Sequence, residues 1–182
     1  MNALDVTPEE IFLHPGEYHF GEGLTRIWTV LGSCVSLTFW HPQRLIGGMC
    51  HIMLPRRTGS AQGEPPVMDG RYADEALNLL FRSMAEQGSW PNEFVVKLFG
   101  GGNMFPQYPP VNGYVGDKNV ETVLLLLQQY GLSCAVSHTG GAGHRKIMFD
   151  VWSGNVWVKQ ADSTSSCPPL RCERGDECVR SG

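Results

Sequence analysis

The sequence predicts a layered α+β domain, with mixed or antiparallel β-sheets and two amphipathic helices packed outside them. Seven short apolar runs have strand character, only two segments have helical periodicity, and the runs cluster in hairpins instead of alternating singly with helices. A chain of 182 residues, 42% apolar and 18% charged, also carries enough apolar material for one full core.

Taken in order, the strand-like runs are "RIWTVL", "VSLTFW", "LIGGMCHIML", "FVVKLF", "SCAVSH", "KIMFDVW" and "NVWVK", the last two joined at Ser153-Gly154. The helix "YADEALNLLFRSMAEQG" places Ala73, Ala76, Leu77, Leu80, Phe81 and Met84 on one face and stops at Gly88. The helix "DKNVETVLLLLQQYG" does the same with Val120, Val123, Leu124 and Leu127, and stops at Gly131. Asn119 at its start reads as a cap. Between the third run and the first helix, "RRTGSAQGEPPVMDG" has no periodicity and reads as a loop. Residues 1–160 are expected to form the domain. Residues 161–182, rich in Ser, Pro and charge, have almost nothing to bury and are expected to be a disordered tail.

Composition excludes several classes. The net charge of −4 comes without a Lys/Arg run, so neither nucleic acid nor an anionic membrane surface is an electrostatically natural partner. The start "MNALDVTPEEIF" carries Asp5, Glu9 and Glu10 where an export signal needs a basic start and an apolar run. The longest apolar run, Val123 to Leu127, is far short of the roughly 20 residues that cross a bilayer. A soluble, cytoplasmic protein without membrane insertion is expected. Cys167, Cys172 and Cys178 lack the close pairs of common zinc sites, so no metal is assigned to them.

The stretch "LGSCVSLTFWHPQRLIGGMCHIMLP" carries the chemistry. Reading "HPQR" at 41–44 as a hairpin loop pairs Trp40 with Leu45 and, carried back, Cys34 with His51. Val35, Leu37, Phe39, Ile46, Gly48, Cys50 and Ile52 then form an apolar core face. Cys34 and His51 share the other face with Ser36 and Thr38, where a substrate is expected to reach them. A thiol opposed to an imidazole can lose its proton and attack as thiolate, and the Gly32-Ser33 turn before it can aim N–H groups at an oxyanion. The glycine-rich "FGGGNMF" and "TGGAGHRK" lack a phosphate-loop pattern, and the first, with Gly100, Gly101 and Asn103, is read as lining the site. His138 and His144 are assigned to the surface or to local hydrogen bonds.

These segments, with "LHPGE", "TVLGSCVSL", "GGMCHIMLP", "YADEAL", "KLFGGGNMF", "VGDKNVETV", "TGGAGHRKIMFD" and "SGNVWVK", resemble the chemoreceptor glutamine deamidases of bacterial chemotaxis, the CheD family. The tail after Gln160 lies outside the likeness. The resemblance implies a fold similar to that of a toxin-type cysteine deamidase. It also implies conversion of chemoreceptor glutamines to glutamate by a Cys, a His and an upstream Thr, without cofactor or metal. Cys34 and His51 fall on the catalytic positions. Thr29 is the candidate hydroxyl, with Trp28 the other occupant of the equivalent place. Gly32, Ser33, Ser36, Gly100, Gly101 and Asn103 are the expected substrate-binding set. The implied partners are chemoreceptor cytoplasmic domains and, in some relatives, a CheC-type phosphatase, for which the alternative reading is a regulatory docking module with little catalysis. Lys118 stands where the family pattern has arginine, which keeps the charge but loses the planar fork.

Overall fold

The computed structural model describes residues 7–57, 67–108, 113–160, 170–172 and 179–180. The chain runs β1 (Glu9–Phe12), β2 (Tyr18–Glu22), β3 (Thr25–Leu31), β4 (Val35–His41), β5 (Ile46–Cys50), α1 (Ala73–Glu86), β6 (Val95–Gly100), α2 (Val115–Gln129), β7 (Cys134–Thr139), β8 (Arg145–Asp150), β9 (Asn155–Gln160), β10 (Leu170–Cys172) and β11 (Val179–Arg180). One sheet has the order β1-β3-β8-β9-β10-β11 and the other β2-β5-β4-β6-β7. Both are mixed: β1 runs parallel to β3 and β6 parallel to β7, and the other pairs are antiparallel. The α+β expectation holds. β1 and β2 were missed because they are short, partly exposed strands with weak apolar alternation.

The central strands of the second sheet, β4 and β5, are buried on both faces. Val35, Leu37 and Phe39 of β4 pack with Ile46, Cys50, Ala76, Leu77, Leu80, Met84, Val123 and Leu127, so both helices lie on that face. The alternate residue Trp40 joins Met49, Phe99, Ile27, Ile147, Phe149 and Val156 against the first sheet. The layers are therefore helices, sheet, sheet. The apolar face expected of the β4–β5 hairpin is the helix-side core. Its opposite face is a second core and not an open surface, because the first sheet covers it.

The helices follow their periodicity with one exception. In α1 the expected inward residues are buried, with Phe81 partly so. In α2, which begins at Val115 with Tyr114 as its N-cap, Leu126 is inward and Leu124 is 41% exposed. Four successive leucines satisfy more than one helical face, and the sheet selects the one it touches. Asn119 lies inside this helix, so it is not the cap. In the tail, Leu170–Cys172 pairs antiparallel with β9, extending the first sheet. Residues 161–169, 173–178 and 181–182 of the tail lie outside the described residues, as does 58–66 of the loop after His51.

Candidate active site

The hairpin register differs from expectation by two residues. His41 pairs with Ile46, Trp40 with Gly47 and Thr38 with Met49, and an isolated bridge joins Val35 to Ile52. The loop is 42–45, closed by Leu45 N–H donating to the His41 carbonyl at 2.9 Å, with Leu45 at φ 53°. A leucine in this left-handed region gives no sequence signal, since glycine or asparagine normally marks such a position. Because the shift is even, side-chain alternation survives. Cys34 and His51 remain on one face as diagonal neighbours, while Ser36 becomes the position opposite His51.

Cys34 sits in the short link between β3 and β4, half-buried. Backbone bonds hold this link to the glycine loop after β6: Gly101 N–H donates to the Cys34 carbonyl at 2.8 Å and Gly102 N–H to the Gly32 carbonyl at 2.8 Å. The approach is so close that a Cβ on Gly100 (φ 107°) would stand 2.2 Å from the Cys34 carbonyl oxygen. Only glycine fits there. Burial pushes the Cys34 thiol pKa up, so the resting sulfur is a thiol.

His51 leaves the β4–β5 ladder and is held from the other side, its N–H donating to the Glu17 carbonyl at 2.9 Å and its carbonyl accepting from Gly16 N–H at 2.8 Å. The side chain is 3% exposed. Thr29 Oγ1 lies 2.8 Å from His51 Nδ1 and donates to the Leu13 carbonyl at 2.7 Å, while that carbonyl is also 3.4 Å from Nδ1. A carbonyl can only accept, so the single hydroxyl proton of Thr29 is committed to Leu13. The Thr29 oxygen must then accept from Nδ1–H, which assigns the proton to Nδ1 and leaves Nε2 as the basic nitrogen. His51 Nε2 is buried without a partner. Burial lowers the His51 pKa, with the Leu13 carbonyl opposing the shift, so the ring is neutral at pH 7 and able to accept a proton. Thiol and imidazole are not hydrogen-bonded to each other in this resting geometry.

Of the two residues that shared the upstream position, Thr29 reaches His51. Trp28 points to the opposite face of the first sheet, where it packs on Phe12 with ring centroids 4.5 Å apart and lies under Lys146 at 4.1 Å. Gly32 and Ser33 flank the thiol. Gly100 and Gly101 are buried and act through the backbone. Asn103 accepts from Phe105 N–H through Oδ1 at 3.0 Å and its N–H donates to the Gly141 carbonyl at 2.7 Å, which ties the two glycine-rich loops together. Ser36 is fully buried, its Oγ without a partner. It lies opposite His51 beneath the covering first sheet. His138 makes the local contact expected of it, its Nδ1 2.8 Å from Arg145 Nη1. Among the described residues no group of three or more His, Cys, Asp or Glu is placed to hold a metal.

A profile of the CheD family, described as CheD chemotactic sensory transduction, matches residues 53–160. The chain belongs to the CheD family. Its curated relatives include a protein of Pseudomonas savastanoi pv. phaseolicola, 51% identical over 152 residues, which are 82% of this chain and 84% of the relative. A relative from Dechloromonas aromatica is 46% identical over 160 residues, 87% of this chain and 91% of its own. The first carries the name "Probable chemoreceptor glutamine deamidase CheD", and the second the same name with the number 3. The family match begins just past His51 and so does not span Cys34, His51 or Thr29. A cleft of about 320 Å³ opens beside the thiol link, lined by Ser33, Gly102, Asn103, Met104, Phe105 and Tyr108 from one side and by Gly113 to Gly116 from the other. No helix among the described residues is long and apolar enough to cross a membrane.

Asn119, read from the sequence as a helix cap, is instead a buried side chain that bonds the backbone on either side of Cys34 and His51. It is fully buried, and its Nδ2 donates to the Ser33 carbonyl at 3.0 Å and the Met53 carbonyl at 2.9 Å. An asparagine on the inward stripe of an amphipathic helix was the available signal, since a buried amide must find partners.

Proposed function

We propose that the chain deamidates glutamine side chains in the cytoplasmic domains of chemoreceptors, with Cys34 as nucleophile and His51 as general acid and base. The Cys34 proton passes to His51 Nε2 as sulfur bonds to the amide carbon. The N–H groups of Ser33 and Cys34 have no carbonyl partner among the described residues, and they are the donors assigned to the developing oxyanion. The imidazolium then gives its proton to the departing nitrogen, releasing ammonia and leaving a thioester. His51 next takes a proton from water, whose oxygen adds to the thioester carbon and expels the thiolate, which recovers the proton. The observation that carries this reading is the Thr29–His51 contact, which leaves Nε2 bare on the face shared with Cys34.

The cleft favours a glutamine embedded in a protein. Free glutamine brings an α-ammonium and an α-carboxylate that need counter-charges, and none of the cleft residues is charged. Met104, Phe105 and Tyr108 are exposed there and suit apolar flanks of a larger substrate. The pair Arg56-Arg57, beyond the His51 strand, is only half available for steering: Arg57 is committed to Glu75 at 2.8 Å and stacks over Tyr72, whereas Arg56 is exposed. The test is ammonia release from purified receptor fragments, with Gln-to-Glu changes mapped by mass spectrometry, compared with short Gln peptides and free glutamine. Turnover of the receptor fragment alone supports the reading. Binding without ammonia release would favour docking on the receptor or on a CheC-type phosphatase, and equal turnover of all three would sink the protein-substrate assignment.

A further inference from the structure

We propose that Asn119 is a positioning residue that sets the Cys34 link against the His51 strand. This inference rests on the Cys34–His51 reading above. The sheet joins the two chain segments that carry the thiol and the imidazole at one point beyond the regular β4–β5 pairing, which stops at Thr38 and Met49: in an isolated bridge, Val35 and Ile52 exchange backbone bonds of 3.0 and 2.8 Å. Cys34 lies outside that bridge, and His51 has turned to bond Glu17 and Gly16. From α2, one amide adds a second tie, through residues on the other side of that bridge. Its two N–H groups go to the Ser33 carbonyl, one residue before the nucleophile, and to the Met53 carbonyl, two residues after the histidine.

The arrangement has two marks of a positioning device. Both donors are spent on carbonyls of segments 86 and 66 residues away in sequence, so the amide stabilises their relation to each other more than the helix that bears it. Asn119 Oδ1 is buried with no partner, which an apolar residue of similar size would avoid. The amide is thus retained at a cost that its two donated bonds must offset. Since thiol and imidazole are unbonded at rest, a small slip of either segment would lengthen the proton transfer from sulfur to Nε2.

The experiment is a double-mutant cycle on receptor-fragment deamidation, using Asn119→Leu, His51→Ala and the pair. Asn119→Leu keeps the volume and donates nothing. We expect it to lower kcat by about 10²-fold, the size associated with a misplacement of roughly 1 Å, with KM for the fragment within about two-fold. In the His51→Ala background it should cost less than about three-fold more, because the alignment no longer matters once the imidazole is gone. Full additivity, or a kcat within about two-fold of wild type, would overturn the positioning role. Asn119→Ser serves as a second, smaller variant, and if neither variant melts cooperatively, Asn119 is a structural residue and the inference fails. If His51→Ala alone leaves kcat unchanged, it is the Cys34–His51 reading that has failed, a result distinct from the others.

Discussion

Thr29→Val isolates the hydroxyl contact from everything else at the site. Valine matches threonine in shape, and Thr29 is fully buried, so the exchange removes one oxygen without opening a cavity. Two bonds go with it: Oγ1 to the Leu13 carbonyl at 2.7 Å and Nδ1 to Oγ1 at 2.8 Å. The carbonyl and the ring N–H each lose a partner. Their remaining contact is the mutual one at 3.4 Å, long for a hydrogen bond. Leaving buried polar groups short of partners costs about 1–3 kcal/mol, the expected loss of stability. The catalytic loss follows from orientation: one neutral hydrogen bond fixing tautomer and ring angle is worth about 1 kcal/mol, which puts the fall in kcat near five-fold, and about 10²-fold if the ring also rotates. Ammonia release from receptor fragments, read beside a thermal melt, measures both. A fully folded variant with kcat within two-fold of wild type would refute the assignment of Nε2 as the base.

Cys34→Ser should abolish deamidation with little change in stability, since a half-buried thiol is exchanged for a hydroxyl of similar size; retained activity within a few-fold would remove Cys34 as nucleophile. Among thiols, Cys50 is wholly buried with its pKa pushed up to about 12, so native protein should leave it unalkylated while Cys34 labels, and slower labelling of Cys34 in His51→Ala would be seen by peptide mapping. His19, His51 and His138 all have pKa values lowered chiefly by burial from the ordinary 6.5, so below that pH the unfolded chain binds more protons than the native one. Stability should therefore be full above pH 6.5 and fall toward pH 5, and a urea midpoint that rises as the pH is lowered from 6.5 to 5 would contradict the burial of these rings. Gly100→Ala should destabilise by about 2 kcal/mol or more, because φ 107° is strained for alanine and the Cβ would overlap the Cys34 carbonyl; an unchanged melting temperature would show that the loop can move away.

Alternation and helical period are properties of consecutive residues, and they made part of this protein legible. Val35, Leu37 and Phe39 against their neighbours marked the core face of β4, and Ala73 to Met84 marked the inward face of α1, because side-chain direction follows from local backbone geometry alone. The same parity put Cys34 and His51 on one face, and it survived a register error because that error was even. The β4–β5 register depended on Leu45 adopting a positive φ, an energetic cost met by the packing of the finished hairpin and invisible in its letters. Whether the second face was open or covered depended on where the first sheet docked, and that docking buried most of this face, Ser36 included. Thr29 on His51, 22 residues apart, and Asn119 between Ser33 and Met53 arise only when three layers pack together. Such contacts are fixed to tenths of an ångström by the summed packing of many side chains, and no local period encodes them.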